Sequence, residues 1–263
     1  MTAPGPRGDE SAVPTAPPTW AELARVPVAL FLDVDGTLVD FEARPEHVRA
    51  TAGLVELLRA VSGRLDGALA LISGRPLADL DRIFAPWRPF AAGVHGVEVR
   101  GPDGVREHRP DPAALRLLRG GCEVIATEHP GVWVEDKGVG VALHYRQAPE
   151  AEAAVLAAAS ALQEQTAPHF ALQPGHLVAE LRPAGWDKGS AVDELLTQPP
   201  FAGHVPLVVG DDLTDEHAFA AANRHGGFGV VVGQRSDTVA RHRLDDPAAV
   251  RGWLAGLLEE GGA

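Results

Sequence analysis

The chain has 263 residues, 45% of them hydrophobic, with 36 Asp and Glu against 23 Lys and Arg for a formal charge of −13, and one cysteine. That length suits one large or two modest domains, and a lone Cys122 excludes an internal disulfide framework or a cysteine-based zinc cluster. The acidic balance, with no dense Lys/Arg stripe, argues against a sequence-independent nucleic-acid binder, and no apolar run reaches membrane-spanning length.

Residues 1–18 are crowded with Pro, Ala, Gly and Thr and lack the charged start and apolar stretch of a secretory signal. They read as a disordered leader, with the cytoplasm as the default location. Strand and helix signals then alternate. Val26–Leu32 is an apolar run that ends abruptly in Asp33-Val34-Asp35-Gly36-Thr37, and Pro45–Ser62 carries helical apolar spacing. Ala68–Ile72 is a buried-type strand stopped by Ser73-Gly74-Arg75-Pro76. Leu77–Phe84 reads as helix and Phe90–Val99 as strand. This alternation argues for an α/β domain built on a parallel sheet.

The middle of the chain changes character. Pro112–Thr127 and the Ala-rich Pro149–Gln165 read as helices. Val132–Asp136 with Val139–Tyr145, and Phe170–Gln173 with Leu177–Leu181, read as short strands around Lys137-Gly138 and Pro174-Gly175. The order αββαββ over 106–181 predicts an inserted α+β unit with a small antiparallel sheet. Helix and strand signals resume at Asp187–Leu196, Val205–Val209, Thr214–Asn223, Phe228–Val232 and Pro247–Leu258. The expected organisation is therefore a leader over 1–18, a core domain from 19–105 and 182–263, and a unit over 106–181 between them.

Three core strands end in polar clusters: Asp33 with Asp35, Ser73, and Asp211 with Asp212. In open α/β sheets ligands sit outside the carboxyl ends of the strands, so neighbouring strands would bring these clusters together. Gathered carboxylates repel, and a hard divalent cation such as Mg²⁺ relieves that repulsion with oxygen ligands. Gly36 permits a sharp turn, Ser73 adds a hydroxyl with Gly74 allowing close approach, and Lys188 opens a helix whose N-terminus also favours negative charge. Carboxylates, a cation and these donors describe phosphoryl transfer, in which an Asp can itself attack phosphorus.

The ordered segments Asp33-Val-Asp-Gly-Thr-Leu38, Ser73-Gly-Arg75, Lys188 and Gly210-Asp-Asp-Leu-Thr-Asp-Glu216 resemble the four motifs of the haloacid dehalogenase (HAD) superfamily. The inserted unit resembles the cap of one branch. Gly93-Val-His-Gly-Val-Glu98, Glu135-Asp-Lys137, His144-Tyr-Arg146, Glu180-Leu-Arg-Pro183 and the 210–216 segment are similar to trehalose-6-phosphate phosphatases. The resemblance implies an HAD-like Rossmannoid core with a mobile cap. It makes Asp33 the nucleophile and Asp35 the general acid and base, which must carry its proton when substrate binds, as burial among carboxylates would favour. Mg²⁺ would be held by Asp33, the Asp35 carbonyl and Asp211, with Asp212 supporting. Ser73, Gly74 and Lys188 would hold the phosphoryl group, and Thr37 would brace the first loop. Glu135, Lys137, Arg146, His176 and Glu180 would read the sugar, with His176 standing where the family commonly has Lys. The implied partner is a small-molecule sugar phosphate made by a separate trehalose-phosphate synthase, with neither nucleic acid nor membrane involved.

Other readings stand beside these. The same scaffold serves sucrose-phosphate and mannosyl-phosphoglycerate phosphatases, phosphotransferases and non-catalytic sugar-phosphate sensors. Asp215 and Glu216 suit a helix dipole as well as catalysis. His95 reads equally as a packed core histidine.

Overall fold

The computed structural model describes residues 14–23, 25–40, 47–175 and 177–259. Contacts divide the chain into two compact units, one from Met1–Arg106 and Asp187–Ala263, the other Glu107–Trp186. In chain order the first unit opens with α1 (Trp20–Leu23), β1 (Val28–Leu32), α2 (Ala52–Arg64), β2 (Leu69–Ile72), α3 (Leu77–Ile83), β3 (Phe90–Gly93), β4 (Glu98–Gly101) and β5 (Gly104–Glu107). The second unit holds α4 (Pro112–Glu128), β6 (Trp133–Asp136), β7 (Val141–His144), α5 (Glu152–Thr166), β8 (Phe170–Gly175) and β9 (Val178–Pro183). The first unit then resumes with α6 (Lys188–Leu195), β10 (Val205–Gly210), α7 (Asp215–Arg224), β11 (Phe228–Val232), β12 (His242–Leu244) and α8 (Pro247–Glu259).

In the first unit the sheet order is β12-β11-β10-β1-β2-β3-β4-β5, parallel from β12 through β3 and antiparallel at β4. Strands buried on both faces read as continuous apolar runs, and β1 (Val-Ala-Leu-Phe-Leu) is one. Its period of two sends Leu30 and Leu32 to a core shared with Leu54, Leu58, Leu80, Val250 and Leu254 of α2, α3 and α8. Ala29 and Phe31 face the other way, onto Val192, Leu195, Phe219 and Ala222 of α6 and α7. The sequence-level fold class, a parallel α/β core with an α+β insertion, is the fold observed.

Several boundaries differ from the sequence reading. Phe90–Val99 is not one strand: Val94 and His95 adopt positive φ of 48° and 53°, and Gly96 follows at 98°. This kink turns the chain so that Ala91, Ala92 and Gly93 pair antiparallel with Arg100, Val99 and Glu98. A Cβ at Gly96 would lie 2.5 Å from the Asp187 carbonyl oxygen, so only glycine fits. The first long helix begins at Ala52, where the Thr51 hydroxyl caps the Leu54 N–H at 3.2 Å, rather than at Pro45, which lies outside the described residues. The expected disordered leader over 1–18 also needs correction at its end. Residues 1–13 lie outside the described residues, but Thr15 donates to the Arg241 carbonyl and accepts the Arg243 N–H beside β12. Strands β5 and β12 escaped the sequence reading because they are short and never fully buried, so neither has an apolar run.

In the second unit the sheet order is β6-β7-β9-β8, all pairs antiparallel. Val141, Leu143, Ala179 and Leu181 pack with Leu118, Cys122 and Ile125 of α4 and Val155, Ala159 and Leu162 of α5. Asp111 caps α4 through the Ala114 N–H at 2.8 Å. Among the described residues no helix is long and apolar enough to cross a membrane.

Candidate active site

Asp33, Ser73 and Asp211 each follow the last residue of a parallel strand, β1, β2 and β10 respectively, and β1 lies between the other two in the sheet. The backbone stays tied to the sheet at these exits: the Asp33 N–H donates to the Val209 carbonyl at 2.9 Å and the Ser73 N–H to the Ala92 carbonyl at 2.9 Å. The loop after Asp33 closes tightly. Gly36 takes a φ of 78° and donates its N–H to the Val39 carbonyl at 2.8 Å, while Val34 and Leu38 are buried beneath.

Lys188 is the first residue of α6, whose capping box joins Asp187 and Ser190. Its ammonium is buried and donates to Asp33 Oδ1 and to Asp215 Oδ1, both at 2.7 Å. The other Asp215 oxygen accepts the backbone N–H groups of Asp211 and Asp212 at 3.1 and 3.0 Å. Asp215 thus braces the Asp211 loop and the lysine together, from a position only 1% exposed. Gly210 is required behind it, since a Cβ there would lie 2.2 Å from the Asp215 carboxyl carbon. The Thr37 hydroxyl donates to Asp211 Oδ1 at 3.1 Å, joining the loop after β1 to the loop after β10.

One carboxylate oxygen from each of Asp33, Asp211 and Asp215 lies within 4.8 Å of the other two. Burial, then the neighbouring Asp215, pushes Asp211 up to about 6, with the Thr37 hydrogen bond opposing. Burial also pushes the Asp33 carboxyl well above its ordinary value; Lys188 opposes this, and Asp215 and Asp211 reinforce it. For Lys188 burial works against the charge, but Asp33 and Asp215 outweigh it and hold the ammonium protonated. Three carboxylates against one ammonium leave two negative charges, matching one divalent cation, and an all-oxygen donor set suits a hard ion. The residues present therefore fit the divalent metal that the resemblance implies.

Of the expected metal ligands the carboxylate cluster brings together Asp33 and Asp211, and it adds Asp215. Asp212 is exposed and its carboxylate accepts the adjacent Leu213 N–H at 2.7 Å, whereas Asp215 stands in the cluster. Asp35 also differs from expectation. Its carboxylate is not buried among others but is gripped by the Arg75 guanidinium, Nε to Oδ2 at 2.6 Å and Nη2 to Oδ1 at 2.7 Å, with the Asp35 side chain 25% exposed. Arg75 and Asp215 were both visible in the motifs, but no sequence spacing marks a guanidinium 40 residues from its carboxylate or a buried brace 27 residues after its lysine. Ser73 is buried and its hydroxyl oxygen accepts the Arg75 N–H at 3.1 Å. Gly74 is needed for a neighbour, since a Cβ there would lie 2.7 Å from the His95 imidazole. Glu98, from the same motif as His95, accepts the Leu77 N–H at 2.7 Å and so caps α3.

In the second unit Glu135 and Glu180 lie on one row of the sheet, each opposite Ala142. Lys137 pairs with Glu180 at 3.0 Å, and Glu135 with His144 at 2.8 Å. Arg146 is exposed beyond the end of β7, and His176 lies outside the described residues.

The architecture is that of a known phosphatase scaffold. A phosphatase of the HAD superfamily from Bacteroides thetaiotaomicron shares the fold, with a TM-score of 0.59 at 23% identity over 90% of this chain and 95% of that one. A trehalose-6-phosphate phosphatase structure from Aspergillus fumigatus gives a TM-score of 0.75 at 26% identity, covering 94% of this chain and 99% of that one. The trehalose-phosphatase family profile matches residues 31–248. The trehalose-6-phosphate phosphatase of Escherichia coli is 40% identical over 228 residues, covering 86% of this chain and 85% of that protein. A probable trehalose-phosphate phosphatase of Sinorhizobium fredii is 39% identical over 230 residues, 87% of each chain. The chain belongs to the trehalose-phosphatase family, HAD-fold enzymes that hydrolyse phosphoric monoesters.

Proposed function

We propose that this chain hydrolyses trehalose 6-phosphate to trehalose and inorganic phosphate through an aspartyl-phosphate on Asp33. The observation that carries the reading is the buried Asp33 at the end of β1, held at 2.7 Å by Lys188 beside Asp211 and Asp215, in a chain of this family. An Asp33 carboxylate oxygen attacks phosphorus as the bond from phosphorus to the sugar oxygen breaks, and Asp35, with one oxygen freed from the Arg75 fork and protonated, gives the sugar oxygen its proton. Water then attacks the same phosphorus, yields a proton to Asp35, and the acyl phosphate bond to Asp33 breaks. Lys188 and the Ser73 hydroxyl hold phosphoryl oxygens in place, where positioning and charge compensation supply most of the rate. Mg²⁺ would be held by Asp33, Asp211 and Asp215, with the Asp35 carbonyl and Asp212 as further candidates. When bound it supplies compensation for the charge of the phosphate ester in an otherwise acidic site.

The second unit supplies the sugar contacts: Glu135, Lys137 and Glu180, with Arg146 and His176 beside them in the motifs. A disaccharide offers hydroxyls, and charged partners left unpaired disfavour a substrate that lacks them. The substrate comes from a separate trehalose-phosphate synthase, and the reaction belongs in the cytoplasm. Phosphate release from trehalose 6-phosphate, sucrose 6-phosphate and mannosyl-3-phosphoglycerate tests the substrate: trehalose 6-phosphate should be turned over fastest, and equal or faster release from either rival refutes the assignment. Asp33→Asn should leave less than about a thousandth of the phosphate release and lose trapping by beryllium fluoride. Retention of either at the wild-type level refutes the mechanism, and wild-type activity that never passes through Asp33 would favour a direct attack of water.

A further inference from the structure

The strands of the second unit alternate their side chains between two faces. Val134, Val141, Leu143 and Leu181 belong to the core beneath α4 and α5. The other face carries Trp133 and Glu135 of β6, Ala142 and His144 of β7, Glu180 of β9 and Gln173 of β8. On this face Trp133 is 48% exposed, unusual for a side chain whose burial contributes more than almost any other. Its indole lies flat on the His144 imidazole, centroids 4.1 Å apart at 10°. His144 is in turn fixed from the side by Glu135, Nε2 to Oε2 at 2.8 Å. The indole therefore has a rigid backing on a strand, two residues from Glu135, and only two rotatable bonds to order.

We infer that Trp133 is a substrate-binding residue, a platform on which one glucosyl ring of the disaccharide phosphate stacks. The inference rests on the functional reading above and adds a contact that the family motifs do not contain. A pyranose has two kinds of surface: a rim of hydroxyls and faces made of C–H groups. Glu135, Lys137, Glu180 and Gln173 on or beside this face offer partners for hydroxyls, but none of them complements a C–H face. An aromatic face does, by dispersion and by its negative quadrupole. Apolar aromatic surface with a few convergent polar groups is also what small-ligand sites are made of. The row of Trp133 and His144 and the row of Glu135, Ala142 and Glu180 are adjacent on the sheet, and Ala142 between the two glutamates keeps the centre low.

The test is steady-state kinetics of wild type, Trp133→Ala and Trp133→Phe on trehalose 6-phosphate and on p-nitrophenyl phosphate, which has no sugar. Trp133→Ala should raise KM for trehalose 6-phosphate about tenfold with kcat changed much less, and lower the ratio of the two kcat/KM values by about the same factor. Trp133→Phe, which keeps a flat ring, should recover most of that loss. An unchanged KM in Trp133→Ala overturns the inference. So does an equal loss on both substrates, which marks a structural role, and so does a failure of phenylalanine to restore more than alanine. If wild type releases no phosphate from trehalose 6-phosphate, the functional reading falls and this inference with it. If wild type is active and Trp133→Ala equals it, the inference alone falls.

Discussion

Asp215→Asn asks whether the fourth motif works through its buried aspartate. Both oxygens of Asp215 are used as acceptors: Oδ1 by the Lys188 ammonium, Oδ2 by the N–H groups of Asp211 and Asp212. An asparagine has only one carbonyl oxygen, so its NH₂ must face donors, either the ammonium or the two backbone N–H groups. A charge-assisted bond contributes about 1.5–3 kcal/mol, and breaking a buried ion pair costs about 3–5 kcal/mol because the remaining charge is stranded. We therefore expect a loss of about 3 kcal/mol, which for a chain of this size lowers Tm by roughly 5 °C. The Asp211 loop also loses its brace and the cluster a carboxylate, so Mg²⁺ affinity should fall at least about tenfold. The control is Asp212→Asn, exposed and bonded to its neighbour's N–H, which should cost under about 1 kcal/mol. Thermal denaturation with and without Mg²⁺ and calorimetric titration of the ion measure both effects. If Asp215→Asn matches wild type in stability and metal affinity, or Asp212→Asn falls as far, the assignment of Asp215 over Asp212 is wrong.

Two further outcomes follow from the same site. Asp211 is pushed from 3.8 up to about 6, so the native chain without metal holds a proton there that the unfolded chain has lost. Metal-free protein should accordingly lose stability as pH rises from about 4 to about 6, and Mg²⁺, which needs the carboxylate ionised, should remove that slope while raising Tm most above pH 6; melting curves at pH 5 and 7.5 that shift equally with the ion would contradict it. The Arg75 fork orients Asp35, so Arg75→Ala should lower kcat roughly 10–100-fold for about 1 kcal/mol of stability, the pair being partly exposed. Arg75→Lys, a point charge without the fork, should recover only part of kcat, and full activity in Arg75→Ala would show that the clamp does not serve the reaction.

Much of this protein was written locally. Continuous apolar runs such as Val28–Leu32 mark strands buried on both faces, and the abrupt polar residues after them mark the strand ends at which an α/β fold gathers its chemistry. Asp33, Ser73 and Asp211 could be named from those positions, and Lys188 from its place among the ordered motifs. Tertiary structure alone decided which carboxylates converge. Asp215 reads in sequence as an ordinary acidic residue in a helix's first turn, and only the crossing of α6 against α7 puts it 2.7 Å from Lys188 while Asp212 turns outward. Arg75 likewise meets Asp35 only because β1 and β2 are neighbours in the sheet. The need for glycine at position 96 comes from the Asp187 carbonyl 91 residues away, and the stacking of Trp133 on His144 comes from the strand pairing that sets them opposite each other. Local sequence sets strand ends, caps and turns through short-range sterics and hydrogen bonds; which distant ends share one site is fixed by strand order and helix packing, and no local pattern carries that information.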